Sequence, residues 1–269
     1  MKKLLFIIAT AVLILSGCTK SADGPGRLIV KITDDPFNIN IVESATITIN
    51  KIEIRKSGEE NQFIVVSEDT MTFNLMELRN GITAEIGNIE IPQGNYDQIR
   101  LYVQEAGLKL KDHAGDFKVK VPSGSQTGLK LLITPSLTVA GGLTSELLLD
   151  FDLSKSFVMR GNINHAAGVN GFIFKPTVKV TNSSTAGRIE GIVSDASKLL
   201  LENAKVWIAK DTVFSSAFSD VNGHYVIPGV PSGTYSVFAT KENYDTVSFE
   251  NISIVSANRT IQDFILTKK

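Results

Sequence analysis

From Arg27 onward the chain is written in a period of two. Leu28, Val30 and Ile32 fall on one side of an extended segment. Ala45, Ile47 and Ile49 alternate with polar residues, and Ile99, Leu101 and Val103 alternate with Arg100, Tyr102 and Gln104. Alternation of this kind places the apolar side chains on one face of a strand and the polar ones on the other. No long window keeps a helical period. Turn residues separate the runs: Pro92-Gln93-Gly94, Gly141-Gly142, Asn222-Gly223 and Pro231-Ser232-Gly233. Asn-Gly tolerates the positive φ of a tight hairpin, and Pro and Gly end strands by removing a donor or freeing the backbone. Many short strands with such turns predict an all-β fold of two β-sandwich-like domains.

Several boundaries follow. Thr33-Asp34-Asp35-Pro36 stops the first strand, because Pro lacks a ladder donor and Asp favours turns. Asp34 and Asp35 point apart and suit a turn. At Asn50-Lys51 the apolar parity flips from odd to even, so Ile52 and Ile54 keep the core face only if a bulge intervenes. Phe63–Val66 and Met71–Leu78 read as strands, the second with the option of a helical turn at Leu75–Leu78. Leu108 to Val121 reads as a hairpin about Asp112-His113-Ala114-Gly115. Leu143–Phe151 and Phe172–Val180 close the region.

The N-terminus has a different design. Lys2 and Lys3 precede an apolar run from Leu4 to Leu15, and Leu15-Ser16-Gly17-Cys18 ends it. Charge, apolar core and small residues in this order make a secretory signal peptide, Met1–Gly17, too short for a comfortable membrane span. The last four residues resemble a bacterial lipobox. That resemblance implies a mature chain beginning at Cys18, acylated on thiol and amine. One acyl chain anchors only marginally, whereas more than one holds firmly. Cys18–Gly26 then forms a lipidated tether, small and polar. The residue after the cysteine is Thr19, not Asp, which by resemblance to the sorting rule of enteric bacteria implies the outer membrane without deciding between its periplasmic face and the cell surface.

Cys18 is the only cysteine of the 269 residues. Once it is acylated, disulfides, thiolate nucleophiles and cysteine-based metal sites are excluded. Removing the leader leaves roughly 250 residues, enough for two ordinary domains. Losing Lys2 and Lys3 also takes the net charge from −1 to −3. A body of this charge is poor material for binding nucleic acid, which needs clustered Lys and Arg.

Four motifs together carry a resemblance. They are Thr33-Asp34-Asp35-Pro36, Ile91 to Leu101 (IPQGNYDQIRL), Val121 to Lys130 (VPSGSQTGLK) and Leu149-Asp150-Phe151-Asp152. The stretch from about Gly26 to Thr181 resembles an uncharacterised domain family of bacterial lipoproteins. The resemblance implies a place in the envelope and a fold class, and no chemistry. Residues 182–186 are small and polar, the composition of a linker. Beyond them stand Gly191-Ile192-Val193-Ser194-Asp195, Asp220 to Tyr225 and Pro231 to Val237. These resemble the carboxypeptidase regulatory-like domain, which implies a small transthyretin-like sandwich over residues 187–269. Departures at Glu202-Asn203 and Asn243 touch loop shape only.

Candidate chemistry is thin. His113, His165 and His224 lie in separate turn-like contexts and lack the convergence of a zinc site. Gly124-Ser125-Gln126-Thr127-Gly128 precedes a strand, where a nucleophile elbow precedes a helix. Asp150 and Asp152 share a strand face and could serve glycoside hydrolysis or hold calcium. The competing reading puts them on a solvated face opposite Leu149 and Phe151, and it is preferred. Trp207 points away from Val206 and Ile208, so it lies toward solvent if those two are core, and is the candidate ligand-binding residue. The sequence therefore predicts a lipid-anchored envelope protein with a non-catalytic binding or scaffolding role toward a glycan or another protein. It predicts neither cofactor nor metal. An envelope glycosidase and a structural spacer are the alternatives.

Overall fold

A computed structural model describes residues 24–35, 42–111, 116–119, 121, 127–161 and 169–269. The leader, Cys18, most of the tether, Pro36, the turn with His113, the loop with Gly124 and Ser125, and His165 lie outside the described residues.

The first domain is a sandwich of two main sheets with a separate two-stranded antiparallel ribbon formed by its tenth and eleventh strands. Its strands are β1 (Gly26–Asp35), β2 (Val42–Lys56), β3 (Phe63–Ser67), β4 (Met71–Asn74), β5 (Ala84–Ile91), β6 (Gly94–Leu110), β7 (Asp116–Val119), β8 (Leu129–Val139) and β9 (Thr144–Asp152). A one-turn helix (Leu153–Ser156), β10 (Phe157–Gly161), β11 (Val169–Phe174) and β12 (Val178–Asn182) follow. One sheet has the order β12-β9-β1-β5, and the other joins β3 and β4 through β2 to β6, with β7 and β8 beyond. The alternating residues of the sequence meet between them: Leu28, Val30, Ile32, Ile47, Ile99, Leu101, Leu149 and Phe151 are fully buried in one core. β2 keeps its apolar set inward across the parity flip because its register against β6 shifts on both sides of Ile49.

The second domain has a separate core around Ile189, Val206, Tyr225, Val237 and Phe264. Its strands are β13 (Gly187–Asp195), β14 (Lys205–Ala209), β15 (Val213–Phe218), β16 (His224–Val230), β17 (Gly233–Thr240), β18 (Val247–Ile254), β19 (Arg259–Ile261) and β20 (Phe264–Leu266). One sheet centres on β13, between β16 and the pair β19 and β20; the other runs β15-β14-β17-β18. The link between β19 and β20 passes closely over β13 at Gly191, where a Cβ would stand 2.0 Å from the backbone oxygen of Gln262. Gly191→Ala should therefore lower the stability of this domain by about 3 kcal/mol or more, since backbone cannot retreat as a side chain can. Thermal unfolding of the variant beside the parent measures it.

The two domains share one strand topology. β1 pairs antiparallel with β5 and parallel with β9; β13 pairs antiparallel with β16 and parallel with β19 and β20. β2 lies between β3/β4 and β6, as β14 lies between β15 and β17. β8 then follows β6 as β18 follows β17. The crossing between sheets uses the same Pro-x-Gly-x-Tyr device in both. The Tyr96 hydroxyl donates to the Pro92 carbonyl at 2.6 Å, and Tyr235 to Pro231 at 3.0 Å. Gly94 and Gly233 take φ of 147° and 156°, in the region open to glycine.

The structure departs from the sequence reading in three places. β1 does not stop at Thr33 but continues through Asp35, because β9 supplies a parallel ladder as far as Asp35↔Asp152. The stretch read as one strand to Val180 is two, β11 and β12, separated at Lys175-Pro176-Thr177. Residues 182–186 form a hydrogen-bonded turn, not a loose tether. The Thr185 and Ala186 amides donate to the Asn182 carbonyl, the Ser183 amide donates to the Glu146 carbonyl, and the Glu146 amide donates to the Ser184 hydroxyl oxygen. Met71–Leu78 resolves into β4 and a 3-10 turn at Leu75–Glu77, capped by the Asn74 side chain.

Candidate functional site

Two of the motifs far apart in sequence meet side by side. Parallel pairing of β1 and β9 sets Thr33 beside Asp150, Asp34 beside Phe151 and Asp35 beside Asp152. Strand alternation then divides the carboxylates. Asp34 has the parity of Leu28, Val30 and Ile32 and points into the first core, while Asp35, Asp150 and Asp152 occupy the outer face. That outer face is covered at Asp35 and Asp150 by the edge of the second domain.

Asp150 is 5% exposed. Lys179, its partner on β12, brings Nζ to 2.7 Å from Oδ2, and the Ser215 hydroxyl of β15 stands 3.5 Å from the same oxygen. Lys179 also donates to the Phe214 carbonyl at 3.3 Å and lies 4.3 Å from the centroid of the Phe214 ring. Its ammonium thus meets a carboxylate, a carbonyl and an aromatic face. Oδ1 of Asp150 is buried without a hydrogen-bond partner.

Asp35 reaches the edge strand of the second domain. Its Oδ1 accepts from the Ser216 amide at 3.1 Å and the Ser216 hydroxyl at 2.7 Å. Burial and the nearby Asp150 charge push its carboxyl up to about 6, against the pull of Ser216 and Lys179. Asp34 is more extreme. It is 4% exposed, neither carboxylate oxygen has a hydrogen-bond partner, and burial with the charges of Asp150 and Asp35 raises it well above the usual range. Asp152 is the opposite case. Burial pushes it up, but hydrogen bonds from Lys155 and Ser154 outweigh that and hold it low. It caps the one-turn helix by accepting from the Lys155 amide.

A second clamp lies on the neighbouring edge strand. The Thr33 hydroxyl bonds the carbonyls of Leu78 and Ile82, both at 2.9 Å, and fixes the loop between them. That loop presents Asn80, whose Oδ1 accepts from the Val226 amide at 2.5 Å and whose Nδ2 donates to the His224 carbonyl at 3.1 Å. One side-chain amide thereby replaces a neighbouring strand along β16. Gly81, at φ 82°, lies so close to Val226 that a Cβ would stand 2.8 Å from its Cγ1. The first domain therefore satisfies edge groups on both sheets of the second, β15 through Asp35 and β16 through Asn80, groups that would otherwise be open to pairing.

The preferred sequence reading of Asp150 and Asp152 as a solvated face is corrected here. Asp150 is buried because the cover comes from another domain, and Asp152 is engaged as a cap. Two-carboxylate hydrolysis needs one acid held protonated and one base, both open to a sugar and a water. The two raised carboxyls here, Asp34 and Asp35, lie on opposite faces of one sheet. Among the described residues no group of three or more His, Asp or Glu is placed to hold a metal ion. His224 contributes its backbone carbonyl to the junction, accepting from Asn80, while its amide donates to Asp220 within the second domain at 2.9 Å.

Trp207 lies on β14 away from the core, as its parity requires, but is half-buried. Its ring stacks on Phe238 of β17, 5.1 Å between centroids and 7° between planes. Its other neighbour in register is Ser216, the partner of Asp35. Beside the junction runs an open cleft of about 670 Å³ between the domains, with Lys31 and Glu146, 2.5 Å apart, on one side and Arg188 and Arg259 on the other.

Sequence reasoning missed Asp34, Asp35, Asn80 and Lys179. Asp34 left a trace in continuing the parity of Leu28, Val30 and Ile32, and both aspartates stand in one of the motifs that carry the family resemblance.

Residues 25–176 match the model of a domain of unknown function, DUF4382, and residues 188–267 match that of the carboxypeptidase regulatory-like domain. Both agree with the families that the motifs resemble. No curated protein matches the chain. Among solved structures, the Bacillus anthracis TIE protein is 16% identical over 91% of this chain and 34% of its own, with a TM-score of 0.27. A streptococcal ancillary pilin is 13% identical over 90% and 62%, with a TM-score of 0.25. BcpA, the major pilin subunit of Bacillus cereus, is 12% identical over 90% and 100%, also at 0.25. The chain spans 58% of a cohesin–X-dockerin complex chain from Acetivibrio cellulolyticus, at 21% identity over 30% of its own length and a TM-score of 0.25. Similarity at these TM-scores carries no weight for function.

Proposed function

We propose that this chain, which belongs to the DUF4382 family of domains of unknown function, is a lipid-anchored protein of the bacterial outer membrane with a non-catalytic binding or scaffolding role. One observation carries the non-catalytic part. The carboxylates that could have formed an acid–base pair are already engaged: Asp150 by Lys179, Asp35 by the edge of β15 in the second domain and Asp152 by a helix cap. The anchor rests on Cys18 behind its apolar leader. The ligand is a glycan or an envelope protein met by the outer face that carries the Trp207–Phe238 stack, because flat aromatic surface suits both sugar rings and protein anchors.

Cys18→Ala should abolish labelling by a fatty-acid analogue and release the protein from membranes; unchanged labelling and fractionation would refute the anchor. For the ligand, the chain from Thr19 to Lys269 is screened on a glycan array and in envelope pull-downs beside Trp207→Ala. A hit weakened tenfold or more in Trp207→Ala, with folding intact and no turnover, supports the reading. Turnover of a glycan that disappears in Asp150→Asn overturns it.

A further inference from the structure

The loop that clamps the second domain is chemically reactive at the clamp itself, because the geometry requires both residues of one dipeptide. Asn80 offers an acceptor and a donor on a short side chain, one to the Val226 amide and one to the His224 carbonyl. The next residue must be glycine, since its φ is 82° and a Cβ would stand 2.8 Å from Cγ1 of Val226. Asn80 itself takes φ of 56°, which asparagine tolerates better than most residues. Asn before Gly is also the pair whose side-chain amide is most open to attack by its own main chain, since no side chain shields the glycine nitrogen. We propose that Asn80 is a deamidation site gated by the domain junction, and that its reaction makes an opening of the junction irreversible.

In the first step the Gly81 nitrogen gives up its proton and bonds to Cγ of Asn80. The Cγ–Nδ2 bond breaks, and Nδ2 leaves as ammonia with that proton. Water then adds to one of the two carbonyls of the resulting cyclic imide. Ring opening leaves a carboxylate, either as aspartate or, with the main chain rerouted through Cγ, as isoaspartate. One water is consumed and one ammonia released, with no oxidant or cofactor.

The closed junction withholds this step. The nitrogen must approach Cγ from above the plane of the side-chain amide. That plane is pinned at Oδ1 by Val226 and at Nδ2 by His224, and the Thr33 hydroxyl holds the loop at the carbonyls of Leu78 and Ile82. The two domains have separate cores, so the junction can part without unfolding either. Once formed, the product cannot rebuild the clamp. A carboxylate has no donor for the His224 carbonyl and sets a negative oxygen where a hydrogen bond of 3.1 Å stood. Isoaspartate also adds a methylene to the main chain beside the tight contact of Gly81 with Val226. The edge of β16 is then left open to pairing with another strand.

Asn222-Gly223 serves as an internal reference. Its backbone amides bond within the second domain, Asn222 to the Asp220 carboxylate at 2.8 Å and Gly223 to the Asp220 carbonyl at 2.9 Å. The chain from Thr19 to Lys269, with both domains intact, is held in mildly alkaline buffer, and peptide mapping by mass spectrometry follows both asparagines. Thr33→Val keeps the shape of the side chain, removes the hydroxyl that fixes the loop and leaves Asn80-Gly81 as it is. Asn80 should convert roughly tenfold faster in this variant than in the parent, the shift expected from losing one or two hydrogen bonds, with Asn222 unchanged. Urea below the unfolding transition should do the same to the parent, which preserves the test if Thr33→Val does not fold. Asn80→Asp makes one product directly and should melt about 3 °C or more below the parent. Equal rates at Asn80 with and without loosening overturn the gate, as does Asn222 rising in step with Asn80. Asn80→Asp as stable as the parent overturns the irreversible release.

Discussion

Replacing Lys179 by Met should cost this protein about 3–5 kcal/mol, the loss expected when one member of a buried ion pair is removed. Asp150 would become a buried carboxyl with little to meet it. Its Oδ1 already lacks a partner, Ser215 is 3.5 Å from Oδ2, and Asp35 is a second negative charge close by. The methionine would retain most of the packing of the lysine stem against Phe214, so the loss reports charge more than volume. Denaturant unfolding at neutral pH gives the number. The double variant Lys179→Met, Asp150→Asn is the control. It removes both charges and should recover more than half of the loss. If the single variant costs under 1 kcal/mol, the pair behaves like an exposed surface bridge and the junction is wetter than its burial implies.

The parts that the sequence made legible are those governed by near neighbours along the chain. Alternation at Leu28, Val30 and Ile32 fixed which residues are core, and all three are fully buried. Pro92-Gln93-Gly94 and Pro231-Ser232-Gly233 read as turns, and both are. What stayed hidden depends on distant pairing. Asp34 and Asp35 have turn chemistry, and only a parallel partner more than a hundred residues away, Thr144–Asp152, keeps them extended. Asp150 alternates with buried residues as a solvent-facing residue would; its cover arrives from a separate core. Trp207 was correctly turned away from its own core, but its stack on Phe238 depends on the pairing of β14 with β17. The common topology of the two domains was equally invisible, since Pro-x-Gly-x-Tyr is too short a likeness to reveal seven matched strand positions.

Acidification from pH 7 to 5 should stabilise this protein, and Asp35 is the main reason with a defined value. Its carboxyl is pushed from 3.8 up to about 6 by burial and by Asp150. The native state then binds a proton that the unfolded chain does not hold between those two values. Stability from this group is fully present below about pH 4 and is lost as pH rises through 6, a change of up to ~3 kcal/mol. Asp34 acts in the same direction, because burial first and Asp150 second raise it as well. Two groups oppose the trend at lower pH. In Glu53 and Asp152 burial is outweighed by hydrogen bonds, from Lys51 and Tyr102 to the first and from Lys155 and Ser154 to the second. Their contribution is lost as pH falls below their unfolded values near 4. The stability maximum is therefore expected near pH 4, where these opposing groups begin to titrate, well below the neutral range. Asp35→Asn isolates the cause. The amide oxygen can still accept from the Ser216 amide and hydroxyl, while the repulsion with Asp150 is gone. At pH 7 this variant should be more stable than the parent, with the slope between pH 5 and 7 reduced to what Asp34 supplies. Thermal unfolding across pH 4 to 8 measures both, and a variant less stable than the parent at pH 7 would show that the charge on Asp35 holds the junction together.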